Sequence, residues 1–194
     1  MKNILIIIPS LKIWWWSISS ATLLGNQLSK RWYNIFFITF YQSDKKYDIL
    51  WKEICMNMKW SNNIFLRFFN ILKKTYYIKK YSKKYEIHTW LSFWEEENLS
   101  NIWSKVFVNN KSKIIPSIRS SIDVNNWKIG IFLLKKYLKK ANYVTTIVKE
   151  EAQNLRQNYW IKPEKVSNIY NMFDIQDIQE KSKEDLREYK DLFN

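Results

Sequence analysis

Glu95, Glu96 and Glu97 stand in a row in LSFWEEENLS, after an apolar run and at the start of a helical pattern. A carboxylate at such a junction can orient a hydroxyl or take its proton. Acids also favour the positive end of the helix they begin, which is a structural reason for the same residues. Glu95 is nearest the strand end and is the catalytic candidate. Arg119 and Ser120 follow a second apolar run, KIIPSI. A guanidinium there can bind a phosphate or another acidic group, or simply lie on the surface. The third candidate is the loop after the first apolar run, Pro9-Ser10-Leu11-Lys12-Ile13-Trp14-Trp15-Trp16-Ser17. Loops in this position are often glycine-rich, because bare backbone N–H groups can approach a phosphate with a helix N-terminus behind them.

In this chain that loop carries three tryptophans, and the composition makes them anomalous. Gly numbers 2, where ordinary usage of ~7% predicts about 13. Trp numbers 11, and the two together amount to a normal glycine content. Lys, Asn, Ile and Tyr make up 84 of the 194 residues. Their codons are AT-rich, and such a gene should be poor in Trp. The positions point the same way. Trp32, in SKRWYNIFF, occupies the slot just past a helix end, where a left-handed residue is wanted and Gly is preferred. Trp160, in QNYWIKP, stands in a similar slot, Trp127 follows two asparagines, and Trp60 lies in a polar turn. Trp51, Trp90 and Trp103 fit this pattern less clearly. These counts and positions imply that most of these tryptophans are glycines in the cell, written as Trp because a UGA codon was decoded so. The alternative is a Trp-rich core or stacking surface.

The elements that must hold these residues follow from apolar periodicity. KNILIII reads as a buried parallel strand. Residues 18–31 repeat apolar side chains at helical spacing, and NIFFITF is a second strand. Short strands are expected at 48–50 and 54–58. Helical patterns follow at 64–84, apolar on one face and Lys-rich on the other, at 95–108, 128–140 and 149–159. Strands are expected at 87–93, 113–118, 143–148 and 166–170, and polar helices at 174–189. Strands alternating with helices imply an α/β, Rossmann-like doubly wound parallel sheet with helices on both faces.

The counts exclude several classes. One cysteine, Cys55, rules out a disulfide scaffold, fits a reducing cytoplasm, and reads as a buried apolar residue. One histidine, His88, rules out a site needing two and reads as structural within its strand. No apolar run reaches the ~20 residues of a membrane span. The net charge is +14, and 27 of the 32 basic residues are lysine. They spread along helix faces, so they read as solvated surface or as attraction to anionic lipid head groups, with 64–84 and 128–140 the expected contacts. A basic, aromatic-rich nucleic-acid-binding module is the competing reading. No nucleic-acid motif supports it, and its stacking argument fails if the tryptophans are glycines.

The order of motifs resembles the N-terminal domain of a GT-B glycosyltransferase of glycosyltransferase family 4. IIIPSL, the Trp14–Trp16 loop and LSKRWYNIFFITF are similar to that family's first strand, glycine loop and helix ending before the second strand. LSFWEEENLSNIWSK, IIPSIRSS and ANYVTTIVKEEAQNLRQNYWIKPEKVSNIYNMFD resemble its later segments, across nearly the whole chain. The resemblance implies the N-terminal half of a GT-B architecture, with residues 1–175 as the acceptor-side domain and 176–194 as a helical tail toward a donor domain. It implies transfer of sugar from a nucleotide-sugar donor to a glycan or lipid-linked acceptor in cell-envelope polysaccharide or glycoconjugate synthesis. The enzyme would need no metal and no cofactor beyond the nucleotide sugar as co-substrate. It would be cytoplasmic or peripheral on the inner face of the plasma membrane, would bind no nucleic acid, and would be inactive as this stretch alone. Trp14, Trp15, Trp16 and Ser17 would meet the donor or another ligand. Asn98, Arg119 and Ser120 would meet the acceptor, and Asn171, in YNMFD, would shape an interdomain hinge.

Overall fold

A computed structural model describes residues 2–11, 16–43, 49–50, 52–108, 111–120, 128–173, 175, 178–179 and 182–183. Among them, seven strands form one sheet. They are β1 (Asn3–Ile8), β2 (Asn34–Thr39), β3 (Lys52–Cys55), β4 (Thr89–Phe93), β5 (Lys113–Ile118), β6 (Val144–Thr146) and β7 (Val166–Asn168). All pair in parallel, in the order β3-β2-β1-β4-β5-β6-β7. The helices are α1 (Trp16–Lys30), α2 (Ile64–Lys84), α3 (Glu95–Val108), α4 (Lys128–Leu138) and α5 (Lys149–Gln157), with a 3-10 turn at Pro163–Lys165.

β1 shows why this sequence makes a central strand. Its side chains alternate across the sheet. Ile4, Ile6 and Ile8 pack toward α1 with Ile18, Ala21 and Phe37. Leu5 and Ile7 pack on the opposite face with Ile71 and Ile78 of α2, and with Leu99 and Ile102 of α3. With helices on both faces, no polar position is left in the run. Each such buried side chain contributes ~1.5–3 kcal/mol. Helix α1 comes close to β2 because Gly25 permits it: a Cβ there would meet the Phe37 ring at 2.7 Å.

The sequence places most elements within two residues of where they lie, and α2, α3 and β5 at their ends. Three readings change. The strand expected at 54–58 lies at Lys52–Cys55. Of 48–50, Asp48 lies outside the described residues, and Ile49 and Leu50 are not in a strand. Most of the expected 174–189 helices likewise lies outside the described residues. The third change is in α2. Asn63 caps it, its side-chain oxygen accepting from the N–H groups of Phe65 and Leu66 at 3.0 and 3.2 Å. Its outer face is not simply lysine. Phe65, Phe69, Leu72 and Tyr76 form an exposed stripe, with Phe65 74% exposed and Phe69 64%. Lys73, Lys79 and Lys80 are exposed on the same helix. Among the described residues no helix is long and apolar enough to cross a membrane.

Candidate functional site

The chain leaves β1 in one direction through β2 and β3, then returns to lay β4 on the other side of β1. The carboxyl ends of β1 and β4 therefore border the point where strand order reverses, the place where open α/β sheets take ligands. The residues that follow β1, β4 and β5 are the ones the sequence singles out.

At the end of β4 the chain turns through Trp94, at φ 95°, into α3. Glu95, Glu96 and Glu97 form the first turn. They do not share one environment. Glu96 and Glu97 are buried, and Lys74 of α2, wholly buried, reaches both. Its Nζ lies 3.0 Å from Glu96 Oε2 and 2.6 Å from Glu97 Oε1. Arg67 Nη2 adds a contact of 2.6 Å to Glu96 Oε1. The Lys74 ammonium also sits over the Phe40 and Tyr41 rings, 4.9 and 5.1 Å from their centroids. Burial on its own would lower the Lys74 pKa, but Glu97 and Glu96 outweigh it and hold the ammonium above its ordinary value.

Glu95 is half-buried and turns the other way. Its Oε1 accepts from Ser120 Oγ at 2.9 Å, joining the ends of β4 and β5. Next to Ser120, the Arg119 guanidinium lies over the Phe93 ring at 4.7 Å. It donates from Nη1 to Asn171 Oδ1 at 2.6 Å, and the same oxygen accepts from Ser20 Oγ of α1 at 3.2 Å. The Nε–H of Arg119 is buried with no acceptor, and no carboxylate among the described residues pairs with the guanidinium. Burial pulls its pKa down to about 10, so it stays cationic at neutral pH. A half-buried cation of this kind has the chemistry to bind an anion.

Other candidates fall elsewhere. Asn98 is buried inside the protein: Oδ1 accepts from Ser92 Oγ at 2.8 Å and Nδ2 donates to Ser117 O at 2.9 Å. It ties α3 to β4 and β5, and its amide is committed to those bonds. Trp14 and Trp15 lie outside the described residues, while Trp16 and Ser17 open α1. His88 is exposed at the opposite end of the sheet, its Nδ1 accepting from the Asn3 N–H at 3.3 Å. Cys55 is half-buried rather than fully buried, and its Sγ–H donates to Asn57 Oδ1 at 3.0 Å. Among the described residues no group of three His, Cys, Asp or Glu is placed to hold a metal.

The sequence missed Ser20 and the partners of Glu96 and Glu97. Lys74 looks like one more lysine on a basic helix, and Ser20 sits on a helix face without any motif. A signal for Lys74 existed in principle: it shares a helical face with Ile71 and Ile78, both core residues.

No family model matches the sequence. An uncharacterized glycosyltransferase of Methanocaldococcus jannaschii is 24% identical over 169 residues, which are 81% of this chain and 41% of the relative. A UDP-N-acetylglucosamine 2-epimerase of Rickettsia bellii superposes with a TM-score of 0.69 at 10% identity, over 97% of this chain and 51% of the other. The lipopolysaccharide outer core galactosyltransferase WaaB, in its apo form, superposes with a TM-score of 0.60 at 18% identity, over 90% and 47%. The chain thus spans about half, or less, of each. The fold is a Rossmann-like unit of the GT-B type, common to these glycosyltransferases and epimerases.

Proposed function

We propose that the chain is the acceptor-side half of a GT-B glycosyltransferase of glycosyltransferase family 4. It moves a sugar from a nucleotide-sugar donor to a glycan or lipid-linked acceptor in cell-envelope polysaccharide or glycoconjugate synthesis. One observation carries this reading: Arg119, which no carboxylate among the described residues neutralises, and Glu95, the outward-turned carboxylate, share one rim at the strand ends. Arg119 seats an anionic group of the acceptor. Glu95, oriented by Ser120, holds the acceptor hydroxyl and takes its proton as the sugar is transferred. The loop around Trp14, Trp15, Trp16 and Ser17 faces the donor, with backbone N–H groups if its residues are glycines. The reaction needs no metal.

The exposed stripe on α2 supports a lipid-linked acceptor. Arg67, near the start of α2, contacts Glu96 in the first turn of α3, so that end of the helix lies on the same side of the sheet as Glu95. Phe65, Phe69 and Leu72 would enter an anionic leaflet there, and the lysines would meet its head groups.

The test is a transfer assay with the full product of the gene. It is incubated with labelled UDP- and GDP-sugars and a lipid extract. Label passing into lipid or glycan, and falling ~10²–10⁴-fold in Glu95→Gln, supports the reading. Epimerisation of UDP-N-acetylglucosamine with no transfer would replace it with the other chemistry of this fold.

A further inference from the structure

We infer that the protein made in its own cell carries glycine at positions 32, 94 and 160. The argument rests on backbone geometry and is independent of sugar transfer. Five non-glycine residues among those described have positive φ, and three are tryptophans: Trp32 at 67°, Trp94 at 95° and Trp160 at 55°. The other two are Asn57 and Glu86. Non-glycine residues do this in a few per cent of cases, so the seven described tryptophans should supply about 0.2. Asn tolerates the left-handed region because its short side chain bonds locally, and an indole has no such excuse. Neither glycine of the chain has a positive φ, and both lie inside helices. Helix interiors, where glycine is a liability, hold the glycines, and turns, where glycine is needed, hold indoles.

Each turn has a structural job. Trp32 closes α1: its N–H donates to Ser29 O at 2.8 Å, and the N–H of Tyr33 donates to Leu28 O at 3.3 Å. That pair of bonds is the helix-ending pattern whose left-handed residue is usually glycine. Trp160 turns the chain beyond α5 so that the Ile161 N–H reaches Leu155 O at 3.3 Å. The side chains return nothing for the strain, since Trp32 is 78% and Trp160 84% exposed. At Trp94 the Asn98 N–H donates to the Trp94 carbonyl at 2.8 Å, and the φ lies well past the usual left-handed value of ~57°.

Trp94 gives the inference a consequence for the site. It joins Phe93, on which Arg119 rests, to Glu95. With glycine at position 94, the residue linking Phe93 to Glu95 carries no side chain. The same decoding at Trp14, Trp15 and Trp16 gives the first loop three glycines.

The experiment is peptide mass spectrometry of the protein from its native host, with the gene's codons read alongside. Glycine masses at positions 32, 94 and 160, over UGA codons, are expected. Tryptophan masses there, or UGG codons, overturn the inference. A second measurement uses the chain made with tryptophan as written. Trp32→Gly combined with Trp160→Gly should raise Tm by about 4 °C, because relief of two strained turns exceeds the added freedom of the unfolded chain. A Tm that stays level or falls would count against it.

Discussion

On the first turn of α3, three identical side chains meet different fates. Glu96 and Glu97 face inward and are neutralised by Lys74 and Arg67. Glu95 faces the rim and accepts from the Ser120 hydroxyl, while the nearby cation, Arg119, meets no acid among the described residues. The difference teaches where charge is structural and where it is available. A closed ion cluster holds α2 against α3. The rim keeps a cation and a carboxylate apart, each with bonding capacity to spare, which costs stability and suits a binding site.

The largest expected effect tests the closed cluster. Lys74→Met strands the buried Glu97 and leaves Glu96 to Arg67 alone, and should cost ~3–5 kcal/mol in urea unfolding. A variant within ~1 kcal/mol of wild type would mean the cluster is hydrated and the contrast with the rim is false. The rim should respond in the opposite way. Arg119→Met should leave the unfolding midpoint near wild type yet weaken binding of an anionic acceptor ~10–100-fold, the loss of a charge-assisted bond. Loss of stability with unchanged affinity would reassign Arg119 to the cluster's kind of role.

Alkali should separate the two regions further. Burial holds Arg119 down to about 10, so anion affinity should fall as pH rises through that value. Lys74 is held above its ordinary value by Glu97 and Glu96. Its contribution to stability is full below the unfolded-chain value of 10.5 and is lost only as pH rises past the higher folded one. Affinity should therefore fail before the unfolding midpoint does, and the reverse order would contradict the assignment. The smallest effect belongs to the outer stripe of α2. Phe65→Ser with Phe69→Ser should reduce sedimentation with anionic vesicles several-fold and leave stability within ~0.5 kcal/mol, because both rings are already in water.

Much of the frame was legible in the residues. KNILIII and NIFFITF are continuous apolar runs that only a covered strand can bury, and the 64–84 and 95–108 patterns have one period from end to end. Burial and periodicity are local properties, so local reading found them. The left-handed turns at Trp32 and Trp160 were legible too, from their places after a helix, whereas Trp94, between a strand and a helix, gave no such cue. Glu95, Arg119 and Ser120 could be named but not joined.

By itself, then, the sequence determined the order of strands and helices and which residues stand at the strand ends, because apolar spacing and chain order require nothing from distant segments. The tertiary structure alone decided which glutamate is spent and which is offered. That choice depends on Lys74, 22 and 23 residues from Glu96 and Glu97, and on Ser120, 25 residues from Glu95. Folding sets those distances and the burial around them, and charges of one type acquire different chemistry only through their surroundings.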